Sequence, residues 1–505
     1  MSNQSSLVRI ISAVVLVSIT SPLAKSQVTD QVGQTNNESE LTGLSTFSNG
    51  VAAYVYGYPL VMFGLTERIA ITVPSAGVKL GGAPLNQFGK EPGLPDSSFT
   101  DVVLPSTTTL YASAFINLKA EPIILHIPNI TDRFFLLQML DGWTNVSDKS
   151  PGSRLGSKEG DYALVGPDWT GTLPSGISPG NVIQMDTNSM WIIGRIYTKG
   201  TADDIALVKD QIYPTLTLTP LSAYHKHYKP PANLPLDPSI ETVTSPLDQV
   251  AGMDACAFFG TLAAMMKYNP SLPADTAVAQ KLADIGILPN QSFDCITLRA
   301  KQRIELAALQ LAVVAARARL QVPPGLPQAK TNFWLMPLDV GTYGTNYLLR
   351  AQVAVNAFGA NNPIDAVYGY GTLDGRGLPL NGSNSYAIHF NPKTAAGNAG
   401  EIPPVNPNAF WSVTIYNQDG TLVANNVVSY NAIGIPQVQG HSACLNPDNS
   451  LDLYLQPTAP SGGTPFCNWL PIPQGDPFIV FLRMYWPDNA VLAGRWVPPP
   501  IQRVR

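Results

Sequence analysis

Tyrosine and arginine side chains in apolar segments are the groups of this chain best suited to chemistry. Tyr54 and Tyr58 are four residues apart, on one face of a predicted helix. Tyr343, Tyr347 and Arg350 have the i, i+4, i+7 spacing of one face of a second helix. A buried guanidinium must be paired or must face an anion or a carbonyl group, and a phenol can act as a general acid or an oxyanion donor.

These side chains predict a pocket between two β domains. Only 13% of the residues are charged, so arginines within or beside apolar patterns are conspicuous. The predicted catalytic residues are Tyr54, Tyr58, Tyr347 and Arg350, and the predicted substrate-binding residues are Tyr111, Trp143, Arg195, Tyr343 and Arg483. In the alternative interpretation, the same side chains brace the domain interface through hydrogen bonds and ring stacking.

Sequence motifs of cofactor-dependent enzymes do not occur. The chain has no G-x-S-x-G, no H-E-x-x-H, no Walker loop and no G-x-G-x-x-G after a strand. This disfavours hydride transfer, phosphoryl transfer and zinc hydrolysis. We expect no cofactor, and acid–base chemistry on a small organic molecule.

The histidines predict no metal site. His225 and His227 form an H-x-H in a proline-rich connector with no acid within several residues, which favours a solvated loop over a metal site. His126 and His389 lie in apolar strand patterns and are predicted to be satisfied structural histidines.

The N-terminus has the pattern of a secretory signal peptide. Arg9 precedes an apolar run of about ten residues, and Ala24 and Ser26 are small residues at the −3 and −1 positions of a cleavage site. We expect residues 1–26 to be removed and the mature protein to be secreted. The alternative is an uncleaved anchor, but the run is shorter than the ~20 residues that span a bilayer, and no later stretch is predicted to span a membrane.

Cysteines and sequons agree with export. With four cysteines, the pairing that costs least loop closure is Cys256 with Cys295 and Cys444 with Cys467. Buried free thiols are the alternative. The sequence also contains N-x-S/T glycosylation sequons at Asn37, Asn129, Asn145, Asn290 and Asn381.

Composition excludes other classes. The net charge is −5, and no basic run exceeds two residues, so nucleic acid is not an expected partner. The partner we expect is a small-molecule ligand or substrate. The 45 prolines and 41 glycines predict many turns and few long helices, and 45% apolar residues suffice for real cores.

The pattern along the chain predicts a mainly β protein with a helical insertion. A disordered segment is expected at 27–45, followed by a helix and a β-sandwich at 46–201. A helical domain with a proline-rich connector follows at 202–340, and a jelly-roll-like β domain at 341–505. Pro59 is expected to kink or end the first helix, Leu298–Gln321 to form the strongest helix, and Asp419-Gly420 to form a hairpin turn.

Several stretches together resemble a family that joins domain of unknown function twelve-fifty-four, N-terminal, to domain of unknown function twelve-fourteen, C-terminal. The N-terminal likeness lies in Ala53–Leu60, Thr109-Leu110-Tyr111, Leu136-Leu137-Gln138, Asp141–Asn145, Gly160-Asp161-Tyr162, Asn188–Trp191 and Gly194-Arg195, with Ile285-Gly286-Ile287 in the middle of the chain. The C-terminal likeness lies in Tyr343–Arg350, Ala409–Tyr416, Asn468–Pro471, Leu482–Pro487 and Trp496–Pro500.

The resemblance implies an N-terminal β-sandwich, a helical insertion and a C-terminal jelly roll, and no agreed activity. The sequence departs from the family in one motif. The family's usual Pro-Asn-x-Asp-Thr-Leu-Tyr is here Pro105–Tyr111, in which Thr108 replaces the acid. An activity that depends on that carboxylate is not expected in this chain.

Three functions fit these observations. The first is a secreted, cofactor-independent enzyme of isomerase, cyclase, lyase or hydrolase type, with secondary-metabolite tailoring as one setting. The second is a secreted protein that binds carbohydrate or another small ligand without catalysis, and the third is a structural wall or matrix protein. The tryptophans favour the sugar-binding idea only weakly, because Trp143, Trp411, Trp486 and Trp496 are predicted to lie in cores or at their rims.

Overall fold

The computed structural model describes residues 30–78, 81–99, 103–288, 290–322, 328–424, 432–434, 444–460 and 466–504. The predicted signal peptide lies outside these residues. The described chain forms four sheets and a helical unit. The predicted fold class, mainly β with a helical insertion between two β units, is confirmed.

The N-terminal β unit is a sandwich of two four-stranded sheets with orders β1-β2-β7-β4 and β6-β5-β3-β8. Its strands are β1 (Gly89–Lys90), β2 (Thr109–Asn117), β3 (Ile123–Ile127), β4 (Phe135–Asp141), β5 (Gly160–Val165), β6 (Val182–Gln184), β7 (Ser189–Tyr197) and β8 (Thr217–Pro220). Alternating apolar residues such as Leu110, Leu125 and Leu164 form the core between the sheets.

Strand β8 extends this unit beyond its predicted end at residue 201. Thr217–Pro220 lies in the predicted proline-rich connector and pairs antiparallel with β3. Pro220 fits there because β8 is an edge strand, where a missing N–H can be tolerated. Sequence patterning missed the strand because it is short and its pairing depends on tertiary structure.

The helical unit forms around one long helix. Its helices are α1 (Asp30–Ile71), α3 (Pro246–Gly252), α4 (Ala255–Met266), α5 (Thr276–Asp284), α6 (Cys295–Lys301), α7 (Arg303–Leu320) and α8 (Tyr347–Asn356). Helix α2 (Ala202–Leu207) packs instead against the core of the N-terminal sandwich. Helix α1 packs against α4, α5, α7 and α8. Helices α3 and α4 are separate, because Asp254 caps α4 by accepting a hydrogen bond from Ala257 N.

One expectation about α1 is wrong, because the segment predicted to be disordered is helical from Asp30 onward. Pro59 lies inside the helix and does not end it. Packing supports the extension: Gly43 approaches α7 so closely that a Cβ there would lie 3.2 Å from Ile304 Cγ2. Tertiary contacts of this kind override weak local propensity.

The C-terminal β unit packs a five-stranded sheet, β13-β12-β16-β10-β9, on a four-stranded sheet, β15-β14-β11-β17. Its elements are β9 (Trp334–Leu335), β10 (Ala366–Gly371), β11 (Ser385–Phe390), β12 (Trp411–Asn417), β13 (Ala432–Gly434), β14 (Leu451–Gln456), β15 (Trp469–Pro471), β16 (Phe478–Tyr485), α9 (Asn489–Leu492) and β17 (Gln502–Val504). Trp411 and Trp496 are buried in its core, as predicted.

Local predictions in this region hold. The turn at Asp419-Gly420 follows β12, and Gly420 has φ +85° and donates to Asn417 O. The predicted cysteine pairing is also found, with Cα–Cα distances of 5.7 Å for Cys256–Cys295 and 5.9 Å for Cys444–Cys467. Within the described residues, no helix has the length and apolar composition needed to cross a membrane.

Candidate functional site

The two β units present facing sheets to each other. On the N-terminal side, Tyr111 is opposite Arg195 in the β2–β7 ladder, and Arg195 is opposite Leu136 in the β7–β4 ladder. Directly opposed residues point to the same face of a sheet. The intervening residues, such as Leu110 and Ala112, point to the opposite face and lie in the sandwich core.

The C-terminal sheet repeats this arrangement. Ser412 is opposite Arg483 in the β12–β16 ladder, and Arg483 is opposite Tyr368 in the β10–β16 ladder. Their neighbours Val413 and Leu482 lie in the C-terminal core. A pleated strand therefore places apolar residues on one face and this polar and aromatic set on the other.

We call the polar and aromatic side chains between these two faces the seam. Its members are Tyr111, Gln138, Arg195, Asn361, Asp365, Tyr368, Tyr370, Ser412, Tyr416, Arg483 and Tyr485. Contacts of Phe134 and Leu136 with Phe410 and Tyr485 close one side of the seam.

Arg195 lies in the N-terminal face of the seam. It is only 7% exposed, and its Nη1 donates to Gln138 Oε1 at 2.6 Å and to Ile193 O at 3.2 Å. Its guanidinium carbon lies 5.4 Å from the centre of the Tyr111 ring. Gln138 in turn donates to the carbonyls of Gly359 and Ala360, at 3.1 and 2.9 Å, which ties this sheet to the segment before β10.

Arg483 binds the segment that precedes β2. Its Nη2 donates to Leu104 O at 2.8 Å and to Tyr416 Oη at 2.8 Å, and its guanidinium carbon lies 4.3 Å from the centre of the Phe481 ring. Tyr416 in turn donates to Pro105 O. The hairpin turn supports the same segment, since Leu104 N donates to Gly420 O at 2.8 Å.

The residue that departs from the family pattern lies next to this segment. Thr108 is buried, and its Oγ1 lies 3.4 Å from Ser106 Oγ. Its carbonyl accepts from Thr198 N at 3.0 Å. Position 108 therefore brings a hydroxyl and no carboxylate to the neighbourhood of Arg483.

The seam phenols are neutral hydrogen-bond donors at neutral pH. Burial is the main cause that raises the pKa of Tyr111, Tyr368 and Tyr485. Tyr485 is buried, whereas Tyr111, Tyr368 and Tyr370 are half-buried.

Carboxylates do not neutralise the two seam arginines directly. Within the described part of the chain, neither Arg195 nor Arg483 forms an ion pair. Asp365 is the carboxylate of the seam, and its Oδ1 accepts from Arg154 Nε at 2.5 Å. Burial raises the pKa of Asp365, while Arg154 and then Arg195 lower it, so Asp365 and Arg195 are close without touching.

A second buried cluster surrounds Arg350 at the base of the helical unit. Its guanidinium carbon lies 5.3 Å from the ring centres of Tyr56, Trp143 and Tyr347. The phenols of Tyr56 and Tyr347 donate to Oδ2 and Oδ1 of Asp275, both at 2.9 Å. Arg350 is fully buried, and its Nε and Nη1 have no hydrogen-bond partner.

Tyr343, a predicted substrate-binding residue, and Asp141 also belong to this cluster. Burial raises the pKa of Tyr343 to about 12 and that of Asp141 to about 6, and nearby Arg350 lowers both. Trp143 is fully buried and donates its indole N–H to Pro270 O at 2.9 Å. Trp143 therefore packs in the core and does not offer a surface to a substrate.

Tyr54 and Tyr58 lie in a third place, within the helix bundle. Tyr54 stacks on Phe258 at 4.0 Å, and its hydroxyl accepts from Arg317 Nε at 3.1 Å. Tyr58 lies beside Tyr54, with ring centres 5.8 Å apart. The expectation that they share a pocket with the other predicted residues is wrong, because α1 turns them toward α4 and α7.

The nine predicted residues thus fall into three groups. Tyr111, Arg195 and Arg483 meet in the seam, while Trp143, Tyr343, Tyr347 and Arg350 surround the cluster with Asp275. Sequence reasoning missed Tyr56, which is two positions from Tyr54 and so about 200° around the helix. It also missed Tyr368 and Tyr485, whose alternation on β10 and β16 was the available signal, and Asp365, which immediately precedes β10.

Open grooves also lie outside the seam. One of about 610 Å³ runs between α1, α5 and α8, with Lys281, Arg319 and Tyr347 in its lining. Its charged residues are exposed, and its floor is apolar. It reaches the Arg350 cluster only through the ring of Tyr347.

The histidines form pairs with aspartates. His126 Nδ1 lies 2.7 Å from Asp161, and His389 Nδ1 lies 2.6 Å from Asp452, so both have the partners predicted for structural histidines. His225 packs against Tyr224. Over the described ranges, no group of three or more His, Cys, Asp or Glu side chains could hold a metal ion.

Two facing β units with a buried seam of arginines and phenols define the class of this protein. Residues 85–220 match the family model described as protein of unknown function (DUF1254), and residues 365–489 match the one described as protein of unknown function (DUF1214). The chain belongs to the family that combines these two domains. The seam lies where the two matched domains face each other, and most of its residues belong to one domain or the other.

Solved structures are similar to the whole chain. The VPA0106 protein from Vibrio parahaemolyticus is 22% identical, with a TM-score of 0.65 over 91% of this chain and 100% of that one, which shows a common fold. An uncharacterised protein from Burkholderia cenocepacia is 12% identical, with a TM-score of 0.42 over 94% of this chain and 97% of that one. No curated protein matches the chain.

Proposed function

We propose that this protein is a secreted, cofactor-independent enzyme that binds a small organic anion in the seam and performs acid–base chemistry on it. One observation carries the proposal: Arg195 and Arg483 are buried on facing sheets, among phenols, and form no ion pair with any described residue. Rings with accessible surface lie beside them.

Charge supports an anionic ligand. Removing a guanidinium from water costs several kcal/mol, and carbonyl or amide partners return only part of that cost. A bound carboxylate or enolate would supply the missing negative charge. Arginine suits this role because its planar fork remains charged and can bind a carboxylate through two hydrogen bonds.

The chemistry follows from the protonation of the groups present. Tyr111, Tyr368 and Tyr485 hold their protons at neutral pH, so they can donate to a developing oxyanion. Asp365 is the carboxyl group that could exchange a proton, since its Oδ2 has no partner. This set suits isomerisation, cyclisation, elimination or hydrolysis.

Three sequence features support secretion as part of the proposal. They are the signal-peptide pattern of residues 1–26, the two cysteine pairs and the sequons. Disulfides persist in oxidising compartments, which agrees with an extracellular or secretory-lumen location.

Binding without turnover is the second candidate. It is favoured by the raised pKa values of the phenols, because groups that donate protons but cannot abstract them suit capture of an anion better than catalysis. Carbohydrate is a weaker choice of ligand, since Trp143, Trp411 and Trp496 are buried.

A thermal-shift screen of small carboxylic acids, with native mass spectrometry on the stabilising compounds, tests the proposal. We expect an organic acid to raise the Tm of the wild type and Arg195→Met to abolish that rise. Arg133→Met is the matched control, because Arg133 is a buried arginine paired with Asp132 and Asp204. It should lower the Tm and keep the ligand response.

Mass spectrometry then separates the two candidates. A converted compound supports catalysis, and an unchanged one supports binding alone. If Arg195→Met and Arg483→Met both fold and respond to acids as the wild type does, the seam is not the site.

A further inference from the structure

We infer that the anion bound in the seam is a hydroxy acid: a carboxylate with a hydroxyl group next to it and an aromatic or other flat apolar body. The inference rests on the proposed function and specifies its ligand. It follows from the hydrogen-bonding groups that the seam leaves unused.

Unpartnered buried polar atoms concentrate in the seam. Among the described residues, Arg195 Nε, Asn361 Oδ1, Asp365 Oδ2 and Ser412 Oγ of the seam have no hydrogen-bond partner; outside the seam, the same holds for Nε and Nη1 of Arg350 and for Thr107 Oγ1. Native proteins satisfy nearly all such atoms, because an unpaired buried polar atom loses its hydrogen bonds to water without replacement. Atoms left unpaired together at one interface between two sheets indicate a ligand site.

The unpartnered atoms of the seam include both a hydrogen-bond donor and hydrogen-bond acceptors. Arg195 Nε can only donate, and the free oxygen of an ionised Asp365 can only accept. A plain carboxylate would satisfy the arginine and repel the aspartate. A molecule that carries both an acceptor anion and a hydroxyl donor satisfies both.

Asp365, Asn361 and Arg195 lie near the phenols of Tyr368 and Tyr485. Asp365 immediately precedes Ala366, which pairs with Tyr485 in the β10–β16 ladder. Tyr485 is next to Tyr368, with ring centres 6.3 Å apart, and Asn361 Nδ2 donates to Tyr368 Oη at 2.5 Å. Arg195 lies close enough to influence both Asp365 and Tyr368 electrostatically.

In Asp365 and Arg195, one atom of the side chain is unpartnered while another atom of the same side chain already forms a hydrogen bond. Arg154 binds Oδ1 of Asp365 and leaves Oδ2 free. Gln138 and the Ile193 carbonyl bind Nη1 of Arg195 and leave Nε free. The protein thus fixes both side chains through one half and leaves the other half for the ligand.

The tyrosine rings around the charged groups indicate the apolar part of the ligand. The partly accessible rings of Tyr111, Tyr368 and Tyr370 offer flat apolar surfaces beside the charged groups. Aromatic rings pack against such surfaces in stacked or edge-to-face geometry. An aryl-substituted hydroxy acid is the simplest molecule that uses both features.

Calorimetric titration with three probes tests the inference: mandelate, phenylacetate, which lacks the hydroxyl, and mandelamide, which lacks the negative charge. We expect mandelate to bind at least tenfold more tightly than either analogue. Tyr485→Phe should weaken mandelate binding at least threefold, because that hydroxyl lies near Tyr368, Arg195 and Arg483. Tyr386→Phe is the control, since Tyr386 lies on β11 in the other sheet of the C-terminal unit and its hydroxyl accepts from Asn381 N. It should lower the Tm and leave binding unchanged.

Each contrary result has its own meaning. Equal affinities for mandelate and phenylacetate would overturn the hydroxy-acid inference and leave the proposed anion site standing. Equal affinities for mandelate and mandelamide, or no binding of any probe, would also overturn it. The proposed function fails separately, if no acid in the wider screen gives a response that depends on Arg195.

Discussion

Buried arginines in this protein have two kinds of surroundings. Arg350 is enclosed by three rings, near Asp141 and next to phenols that Asp275 holds in place. Arg195 lies beside rings that retain accessible surface. The same residue type therefore serves packing in one cluster and suits ligand binding in the other.

Replacing Arg350 should cost stability and spare ligand binding. Arg350→Met removes contacts with three aromatic rings and leaves Asp141 without its nearest cation, so we expect a loss of about 2 kcal/mol in the free energy of unfolding. Urea titration measures the loss. A variant that keeps full stability and loses the response to organic acids would move the site to this cluster.

Asp141 makes stability depend on pH. Its pKa is raised to about 6 by burial, although Asn145 and Arg350 lower it. The contribution of this raised acid is fully present below its unfolded pKa of about 3.9 and is lost as pH rises through about 6, a change of about 3 kcal/mol.

Asp141→Asn should remove this dependence. Unfolding free energies of wild type and variant, measured from pH 4 to pH 7, should diverge in favour of the variant as pH rises. In the wild type, Asp141 accepts a hydrogen bond from the Asn145 main-chain N–H, and the side-chain amide oxygen of the variant can accept the same hydrogen bond. Parallel curves over this range would show that Asp141 titrates elsewhere.

At the scale of elements, the long helix α1 contributes side chains to two separate clusters. Its residues contact five other helices, α3, α4, α5, α7 and α8, and its Tyr56 reaches the Arg350 cluster while Tyr54, two positions away, reaches α7. Residues two positions apart are about 200° apart around a helix and face different neighbours, so one helix contributes to two clusters.

Glycine positions test this packing. Gly50 on α1 has no room for a Cβ beside Ala312, whereas Gly260 on α4 faces open space. Gly260→Ala should therefore raise the free energy of unfolding by about 1 kcal/mol through helix propensity. Gly50→Ala should lower it, and thermal denaturation of the two variants compares them directly. An equal gain in both would mean that α1 and α7 are less closely packed.

The hairpin after β12 shows how short elements serve the seam. Gly420 supplies the positive φ that the turn needs, and its carbonyl holds Leu104 next to Arg483. A local turn signal in the sequence is thus connected to the site only through tertiary contact.

For the whole molecule, exposure decides which sequons can carry glycans. Asn129 and Asn290 are exposed. Asn145 Nδ2 donates to Asp141 at 3.0 Å, and Asn381 Nδ2 donates to Gly475 O at 3.0 Å, so a glycan on either would break a native hydrogen bond.

We expect glycans at Asn129 and Asn290 when the protein passes through a eukaryotic secretory pathway. Intact-mass measurement before and after enzymatic deglycosylation, on wild type and on Asn129→Gln and Asn290→Gln, checks this expectation. Glycosylation at Asn145 in folded protein would contradict the prediction. The side chain of Asn37 lies outside the described residues.

Strand and helix patterns were readable because they depend on local periodicity. The pattern along the chain predicted β units within 46–201 and 341–505, and Asp419-Gly420 predicted the turn after β12. The extension of α1 to Asp30 and the pairing of β8 were not readable, since both depend on surfaces that exist only after the chain has folded. Loop-closure cost was enough to predict the cysteine pairing.

The sequence by itself determined the β units with their helical insertion, the family and the presence of arginines and tyrosines in apolar surroundings. Only the tertiary structure decided which of these side chains meet. Arg195 and Arg483 are far apart in the chain, and the facing of two sheets brings them into one seam. Tyr54 and Tyr347 look alike in sequence, yet they lie in separate clusters because helix rotation and packing, not residue type, set their neighbours.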